Sequence, residues 1–155
     1  MNQPLTTTQL DSFMMKCMGP EIFKGVFASD HLPNMDLYSY PYCIIANTDC
    51  CHKGGAHWIG MYFDRCGDGH YFDSYGMEPK NITWIKYLVE NSRNGHWTMQ
   101  RRSIQGQFTP YCGHYVTLYL IRRHLESLVV SDYKLMLDIN DSNVVNTLMK
   151  YLYKN

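Results

Sequence analysis

The sequence predicts a single α+β domain that spans residues 1–155. First, aromatic and β-branched residues flank a turn-rich centre within residues 57–76, a pattern typical of an antiparallel hairpin. Second, apolar residues recur with helical spacing in segments before and after this hairpin. Third, a chain of 155 residues has the length of one domain and can bury a substantial core.

The N-terminal third predicts one helix and one strand. Thr7 or Thr8 can cap the helix, and Gly19-Pro20 ends it. Residues 21–41 contain scattered Gly and Pro and are expected to form an irregular loop, whereas Tyr42–Thr48 is a short apolar run typical of a strand. The apolar side of the helix consists of Leu10, Phe13, Met14, Cys17 and Met18.

The hairpin predicts a contact between His57 and Asp73. If its strands are symmetric about Arg65, residues whose numbers sum to 130 lie opposite each other, and these two form such a pair. Opposed residues have Cβ atoms about 4.5–5.5 Å apart, so the carboxylate can accept an imidazole hydrogen bond. A register shift of two residues would keep them on one face, whereas a shift of one would separate them. The alternative is an ordinary surface pair.

Three further helices and a strand are predicted in the rest of the chain. Asn81 can cap a helix through Ile82, Ile85, Leu88 and Val89 that ends near Asn94-Gly95. Residues 131–139 fit either a strand or a helical turn. The remaining elements are a strand over Trp97–Gln105, a buried helix over Gly113–Leu125, and a last amphipathic helix that Asp141-Ser142 opens and that carries Val144, Val145, Leu148, Met149 and Leu152.

Cys112 is the candidate nucleophile. Pro110 disfavours a helical conformation at Thr109, so Cys112 falls at or beside the N-terminus of the buried helix. Unpaired backbone N–H groups and the helix dipole lower the pKa of a thiol there from its free value of about 8.5, and the thiolate is the reactive form. The alternative is a buried structural cysteine.

Together with Cys112, three other residues form a set with complementary chemistry. His57 can act as a base, and Asp73 can orient it. Gln105 precedes Cys112 by seven residues, and its amide can donate to the oxyanion of a tetrahedral intermediate together with the Cys112 N–H. His114 is a second candidate base, but two residues along a helix it points to a different side from the thiol.

This ordered set resembles the adenovirus protease family, the adenains, and more widely the proteases of ubiquitin-like proteins. The spacings of 16 residues from His57 to Asp73 and seven from Gln105 to Cys112 agree with that family. The resemblance implies a papain-like cysteine protease architecture of the adenain type, with a central mixed or antiparallel sheet flanked by helices and the nucleophile at a helix N-terminus. It also implies that Trp58 and Gly55 bind substrate. The matching segments are Gly19-Pro20, Phe23-Lys24-Gly25, Ile45-Ala46-Asn47-Thr48, Gly54-Gly55-Ala56-His57-Trp58, Phe72-Asp73-Ser74-Tyr75-Gly76, Gln105-Gly106 and Cys112-Gly113.

The chain also departs from the adenovirus enzymes. Asp73 replaces their glutamate, as the wider family allows, and the C-terminal end is shorter. In those enzymes a cysteine ahead of the glutamine joins a peptide activator, but no cysteine lies between Cys66 and Cys112 here. We therefore expect no disulfide-linked activator, although a non-covalent peptide could add a strand to a sheet edge. The chain looks closer to adenain-like proteases of Maverick/Polinton-type transposons and other DNA viruses.

The resemblance implies a cysteine endopeptidase that cleaves capsid or core precursor proteins near Gly-containing sites during virion maturation. An alternative is a protease for ubiquitin-like modifiers with Gly-Gly tails. A third possibility is an inactive scaffold or zinc-binding module. Its candidate ligands lack the usual C-x2-C spacing, so we expect no metal and no cofactor. These candidates are Cys43, Cys50, Cys51, His52, Cys66 and His70.

Composition limits the expected partners and location. The formal net charge is zero, with 14 basic and 14 acidic residues, so weak or no nucleic-acid binding is expected. No apolar run approaches the roughly 18 residues of a membrane span, so no membrane partner is expected. The first 30 residues lack the pattern of a signal peptide, which predicts an intracellular protein with reduced thiols. The resemblance implies the virion or the host nucleus or cytoplasm.

Overall fold

The structure is a computed structural model that describes residues 2–34, 39–48, 57–126 and 130–154, with Tyr133 described by its backbone alone. Over these ranges it contains a five-stranded mixed sheet, five α-helices and a short 3-10 helix (Arg93–Gly95), which confirms the predicted α+β class. The strands are β1 (Phe23–Phe27), β2 (Tyr42–Asn47), β3 (Trp58–Phe63), β4 (Gly69–Phe72) and β5 (Trp97–Met99). The helices are α1 (Thr7–Met18), α2 (Ile82–Asn91), α3 (Cys112–Leu125), α4 (Asp132–Leu135) and α5 (Val144–Leu152).

The strands lie side by side in chain order. The central pairs β2–β3 and β3–β4 are antiparallel, whereas β1 and β5 join the edges in parallel. Alternate residues of β2 face opposite sides, so Ile44 lies in a core with α2 and Ile45 in a core with α1, α3 and α5. Both faces of the sheet are thus covered by helices.

Two glycines allow α3 to pack closely along β3. A Cβ at Gly60 would lie 3.3 Å from the Leu120 side chain, and a Cβ at Gly113 would lie 3.3 Å from Trp58. The beginning of α3 therefore lies beside the beginning of β3. This arrangement brings Cys112 next to the residue that precedes β3, His57.

Two predictions for the N-terminal third were wrong. The helix cap is Thr6, not Thr7 or Thr8, because Gln9 completes a reciprocal pair with it: Thr6 Oγ1 accepts from the Gln9 N–H at 3.2 Å, and Gln9 Oε1 accepts from the Thr6 N–H at 2.9 Å. The predicted loop over 21–41 contains β1. Its register shifts between Phe23 and Val26, at the glycine Gly25 with φ +132°, and this irregularity hides the strand pattern.

Two details of the second half of the chain were wrong, and one open alternative is decided. Asn81 caps α2, as predicted, but Trp84 and Leu88 are its buried residues and Ile82 is 76% exposed. The predicted strand over 97–105 stops at Met99, because the next side chain, Gln100, bonds instead to the Asp73 carbonyl at 3.2 Å. Residues 131–139, which fit either a strand or a helical turn, contain the helix α4, which Ser131 caps.

The last helix begins slightly later than Asp141-Ser142, at Val144, after a turn over 141–143. Its predicted apolar side is confirmed, since Val144, Leu148 and Leu152 are buried. None of the helices in the described part of the chain has the length and apolar content of a membrane-spanning helix.

Candidate active site

Cys112 is the first residue of α3 and is partly buried. Burial raises the pKa of its thiol, but a hydrogen bond with the His57 side chain and bonds from the backbone N–H groups of Trp58 and Gly113 outweigh burial, and the pKa is lowered. These donors stabilise the thiolate directly. The helix N-terminus and the neighbouring strand therefore both contribute to activation of Cys112.

His57 lies immediately before β3, between the thiol and a carboxylate. Its Nε2 is 2.8 Å from Asp73 Oδ1, which leaves Nδ1 to face Cys112. Burial lowers the His57 pKa, but the hydrogen bonds and negative charges of Asp73 and Cys112 outweigh burial and raise this pKa to about 9. Because the two pKa values move in opposite directions, the arrangement favours an imidazolium–thiolate pair near neutral pH.

Asp73 lies just after β4 and is buried. Its Oδ1 also accepts from the Tyr75 N–H at 2.8 Å, which fixes the carboxylate. The predicted register was wrong by two residues, because Gly60 lies opposite Phe72 and paired numbers sum to 132. His57 and Asp73 are thus diagonal neighbours just beyond the paired strands, and their side chains still meet.

Gln105 is buried and held at both ends of its amide. Its Oε1 accepts from Ser74 Oγ–H at 2.5 Å, and its Nε2 donates to the Thr109 carbonyl at 2.8 Å. Since an amide nitrogen carries two N–H bonds, the second can donate to another acceptor. Ser74 directly follows Asp73, so one turn after β4 fixes both the carboxylate and the amide.

The Gln105 loop is also held by Asp141, a residue further along the chain that was not predicted to contribute to the site. Asp141 Oδ2 accepts from the Gly106 N–H at 2.9 Å, and Asp141 Oδ1 accepts from Tyr115 O–H at 2.7 Å. A Cβ at Gly106 would lie only 2.5 Å from Asp141 Oδ2, so a larger residue here would displace the carboxylate from this position. In the sequence, the glycine directly after Gln105 was the available signal that a side chain approaches the backbone closely here.

The side chains of two other candidate residues, His114 and Trp58, have contacts of their own. His114 is fully buried and meets the Tyr111 ring edge-on, at 5.5 Å between ring centroids. Trp58 is half-buried and donates from Nε1 to the Leu5 carbonyl at 3.3 Å, beside the start of α3. The role of Trp58 in substrate binding stays a prediction. Gly55 lies outside the described residues.

Among the residues that the structure describes, the candidate zinc ligands do not form a cluster. Cys43 is buried, Cys66 is exposed, and His70 bonds to Asp64 and Asp132. Cys50, Cys51 and His52 lie outside the described residues. Over the ranges that the structure describes, no group of three or more His, Cys, Asp or Glu residues is placed to hold a metal ion.

Tyr75 covers the His57–Asp73 pair and separates two cavities. Its ring stacks on the His57 ring with centroids 4.9 Å apart. A cavity of about 340 Å³ lies on one side, where His57, Asp73 and Trp84 contribute to its walls. On the other side, a cavity of about 670 Å³ extends along the Gln105 loop. The smaller cavity therefore reaches the His57–Asp73 pair directly, whereas the larger one adjoins that pair through Tyr75.

No protein-family model and no curated protein sequence matches the chain. Solved structures with a similar fold include the pS273R protease of African swine fever virus (ASFV). The similarity covers 100% of this chain and 70% of that protease, with a TM-score of 0.69 and 18% sequence identity. The chain therefore shares the fold of a viral protease.

Proposed function

We propose that this protein is a cysteine endopeptidase that cleaves viral structural precursor proteins. One observation carries the proposal: Cys112, His57 and Asp73 form a hydrogen-bonded row, and the pKa values of the thiol and the imidazole move in the directions that favour an ion pair. Activated thiols of this kind are the nucleophiles of peptidases. The fold shared with a viral protease supports the same reaction class.

In the proposed acylation step, Cys112 Sγ attacks the scissile carbonyl carbon. The carbonyl oxygen becomes an oxyanion, which the backbone N–H of Cys112 and the second Nε2 N–H of Gln105 stabilise. The tetrahedral intermediate then collapses, and His57 Nδ1 gives its proton to the leaving amine. The products are a free amine and a thioester on Cys112.

Water completes the proposed cycle. Neutral His57 accepts a proton from water as the water oxygen attacks the thioester carbonyl carbon. The C–S bond then breaks, which releases the carboxylic acid product and restores the Cys112 thiolate. Asp73 keeps the imidazole oriented in both steps, because its Oδ1 bonds to Nε2 and is itself fixed by the Tyr75 N–H. No cofactor takes part in this mechanism.

The viral substrate class rests on the motif resemblance and on the shared fold. We propose capsid or core precursors with Gly-containing sites as substrates, and the virion or the infected cell as the place of action. Proteolysis of ubiquitin-like proteins would use the same four residues. Only cleavage specificity separates the two substrate classes.

The test compares two substrate sets with wild type and Cys112→Ala. One set contains structural precursor proteins encoded with this protease, and the other contains ubiquitin-like proteins with C-terminal extensions beyond Gly-Gly. We expect specific cleavage of the precursors by wild type and none by Cys112→Ala. Preferential cleavage after the Gly-Gly tails would favour the alternative substrate class, and no cleavage of either set would refute the proposed activity.

A further inference from the structure

The loop between Gln105 and Cys112 exposes an aromatic residue at an unusual position. Phe108 is 99% exposed and adopts φ +64°. It is the third residue of a four-residue turn, since the Thr109 N–H bonds to the Gly106 carbonyl at 3.4 Å. Turns with a positive φ at this position usually place Gly or Asn there. Neither burial nor turn geometry therefore accounts for phenylalanine.

The turn holds Phe108 in place from both sides. The Gly106 N–H donates to Asp141, and Thr109 Oγ1–H donates to the Gly106 carbonyl at 3.0 Å. The Thr109 carbonyl in turn accepts from the Gln105 amide. Phe108 is therefore presented on a backbone that is fixed by the same contacts as the proposed oxyanion donor.

Phe108 borders the cavity of about 670 Å³, which we name the Phe108 groove. Met77, which is 41% exposed, and Tyr75 contribute to the same walls. None of the residues that line the groove is charged: they are Tyr75, Met77, Ser103, Gln107, Phe108, Thr109 and Pro110. An uncharged groove with aromatic and thioether walls suits an apolar side chain.

The groove adjoins the candidate active site. Tyr75 lies in its wall and stacks on His57, and the loop that forms its other wall begins at Gln105. A peptide whose scissile carbonyl reaches Cys112 would therefore pass beside this groove. This adjacency points to the peptide substrate as the occupant.

We propose that the Phe108 groove is a specificity subsite, in which Phe108 and Met77 bind an apolar side chain of the peptide substrate within a few residues of the scissile bond. This inference rests on the proposed peptidase function. A residue that is costly in its turn and unburied in the free protein becomes useful when substrate covers it.

The test uses Phe108→Asn, because asparagine tolerates a positive φ and should preserve the turn. Leu125→Asn is the matched control: Leu125 is 64% exposed and lies at the other end of α3, about 20 Å from Cys112 along the helix. Wild type and both variants are incubated with a peptide library of mixed sequence, and mass spectrometry identifies the cleaved bonds. Kinetics are then measured on one preferred peptide and on the same peptide with Ser at the apolar position.

Wild type should prefer an apolar residue at one position near the cleaved bond. Phe108→Asn should lose this preference and cleave the preferred peptide with a kcat/KM roughly 10- to 100-fold lower, while cleavage of the Ser peptide changes little. Leu125→Asn should behave as wild type. If Phe108→Asn cleaves with unchanged preference, the subsite is wrong although the peptidase function stands. If wild type cleaves nothing, the proposed function itself fails.

Discussion

At the residue scale, opposing pKa shifts on Cys112 and His57 predict a pH profile. The lowered thiol pKa places thiolate formation below the ordinary thiol range, and His57 keeps its proton up to a pKa of about 9. kcat/KM should therefore rise as the Cys112 thiolate forms, at pH values below the ordinary thiol pKa of about 8.5. It should then remain level and fall as pH passes about 9, where His57 loses its proton. Initial rates across this pH range at constant ionic strength measure both limbs.

Asp73→Asn provides the matched variant for the pH profile. An amide removes the negative charge that helps to raise the His57 pKa, so the alkaline limb should move to lower pH and kcat should drop. His57 also makes the stability of the fold depend on pH. Because its pKa is raised in the folded protein, its stabilising contribution is fully present at pH values below the unfolded pKa of about 6.5 and is lost as pH rises towards 9. An alkaline limb that stays in place in Asp73→Asn would contradict this coupling.

Gln105 offers a second prediction at the residue scale. Gln105→Ala should lower kcat by roughly 10²- to 10³-fold with little change in KM, since the proposed acceptor of its second N–H is an oxyanion that exists mainly in the transition state. Steady-state kinetics on a cleaved peptide give the two constants separately. Gln107→Ala, in the same loop, is the control for kcat: because Gln107 lines the Phe108 groove, any effect of this variant is expected in KM, and most of kcat should remain. A defect confined to KM would show that Gln105 binds the ground state instead.

The candidate site could largely be inferred from residue types and spacing, but its supporting contacts could not. Cys112 follows a proline at a helix start, and His57 and Asp73 flank one hairpin, so local rules place all three. Ser74 bonds to Gln105, which lies 31 residues away along the chain, and Asp141 bonds to Gly106, which lies 35 residues away. Only tertiary packing determines such pairs.

At the element scale, the turn over 141–143 that precedes α5 holds the Gln105 loop in place, through Asp141. Asp141→Ala removes the acceptor for Gly106 N–H and Tyr115 O–H, which should loosen the loop and lower kcat by roughly tenfold without a comparable rise in KM. Asp141→Asn keeps one oxygen acceptor and should recover part of kcat. Peptide kinetics on both variants check this, with Asp138→Ala as an exposed acidic control.

A purely structural role for Asp141 would give a different result. In that case Asp141→Ala would lower the melting temperature while the folded fraction kept the wild-type kcat. Thermal melts run beside the kinetics distinguish the two cases.

The hairpin shows why element existence was easier to predict than register. The turn closes with the Asp64 N–H bonded to the Asp68 carbonyl at 2.9 Å, and Asp64 Oδ1 accepts from the Cys66 and Asp68 N–H groups. Its centre is therefore Cys66, not Arg65, and every pair shifts by two. Composition marks a turn, but a side-chain hydrogen bond decides which residue is central. β1 was missed because the register irregularity at Gly25 interrupts its strand pattern.

At the scale of the whole molecule, a buried ionic network joins α4 to the sheet and to α3. Asp132 bonds to His70 Nδ1 at 3.0 Å, to Tyr119 O–H at 2.6 Å and to the Arg123 guanidinium. Burial raises the Asp132 pKa, but these partners outweigh burial and hold it well below its usual range. Loss of one member leaves buried charge without its counterpart.

Asp132→Asn should therefore lower the free energy of unfolding by roughly 3–5 kcal/mol, or the melting temperature by roughly 10 °C. Asp138→Asn is the control, since its exposed pair with Arg122 should be worth less than about 1 kcal/mol. The Asp132 contribution is present above its unfolded pKa of about 3.9 and is lost as pH falls through its lower folded pKa. Equal melting temperatures for the two variants would refute the assigned role of the network.

Net charge and cysteine positions predict how activity responds to other molecules. With 14 basic and 14 acidic residues, DNA should stimulate cleavage weakly, and moderate salt should abolish the effect. Any activating peptide should act under reducing conditions, because no cysteine lies between Cys66 and Cys112. Measurements of kcat/KM with and without DNA, reductant and capsid-protein peptides check both points. A hundredfold DNA stimulation at physiological salt, or activation that reductant abolishes, would show the opposite.

The proposed activity depends most on Cys112 as a nucleophile that forms a thioester with substrate. A direct measurement is to incubate the wild type, Cys112→Ala and Cys66→Ala with the peptide library, stop the reactions in acid, and locate cleaved peptides and protein adducts by mass spectrometry. Cys66 is the control because it is an exposed thiol away from the site. We expect cleavage and a peptide thioester on Cys112 in wild type and Cys66→Ala, and neither in Cys112→Ala. Cleavage that persists in Cys112→Ala, or that disappears in Cys66→Ala, would contradict the central claim.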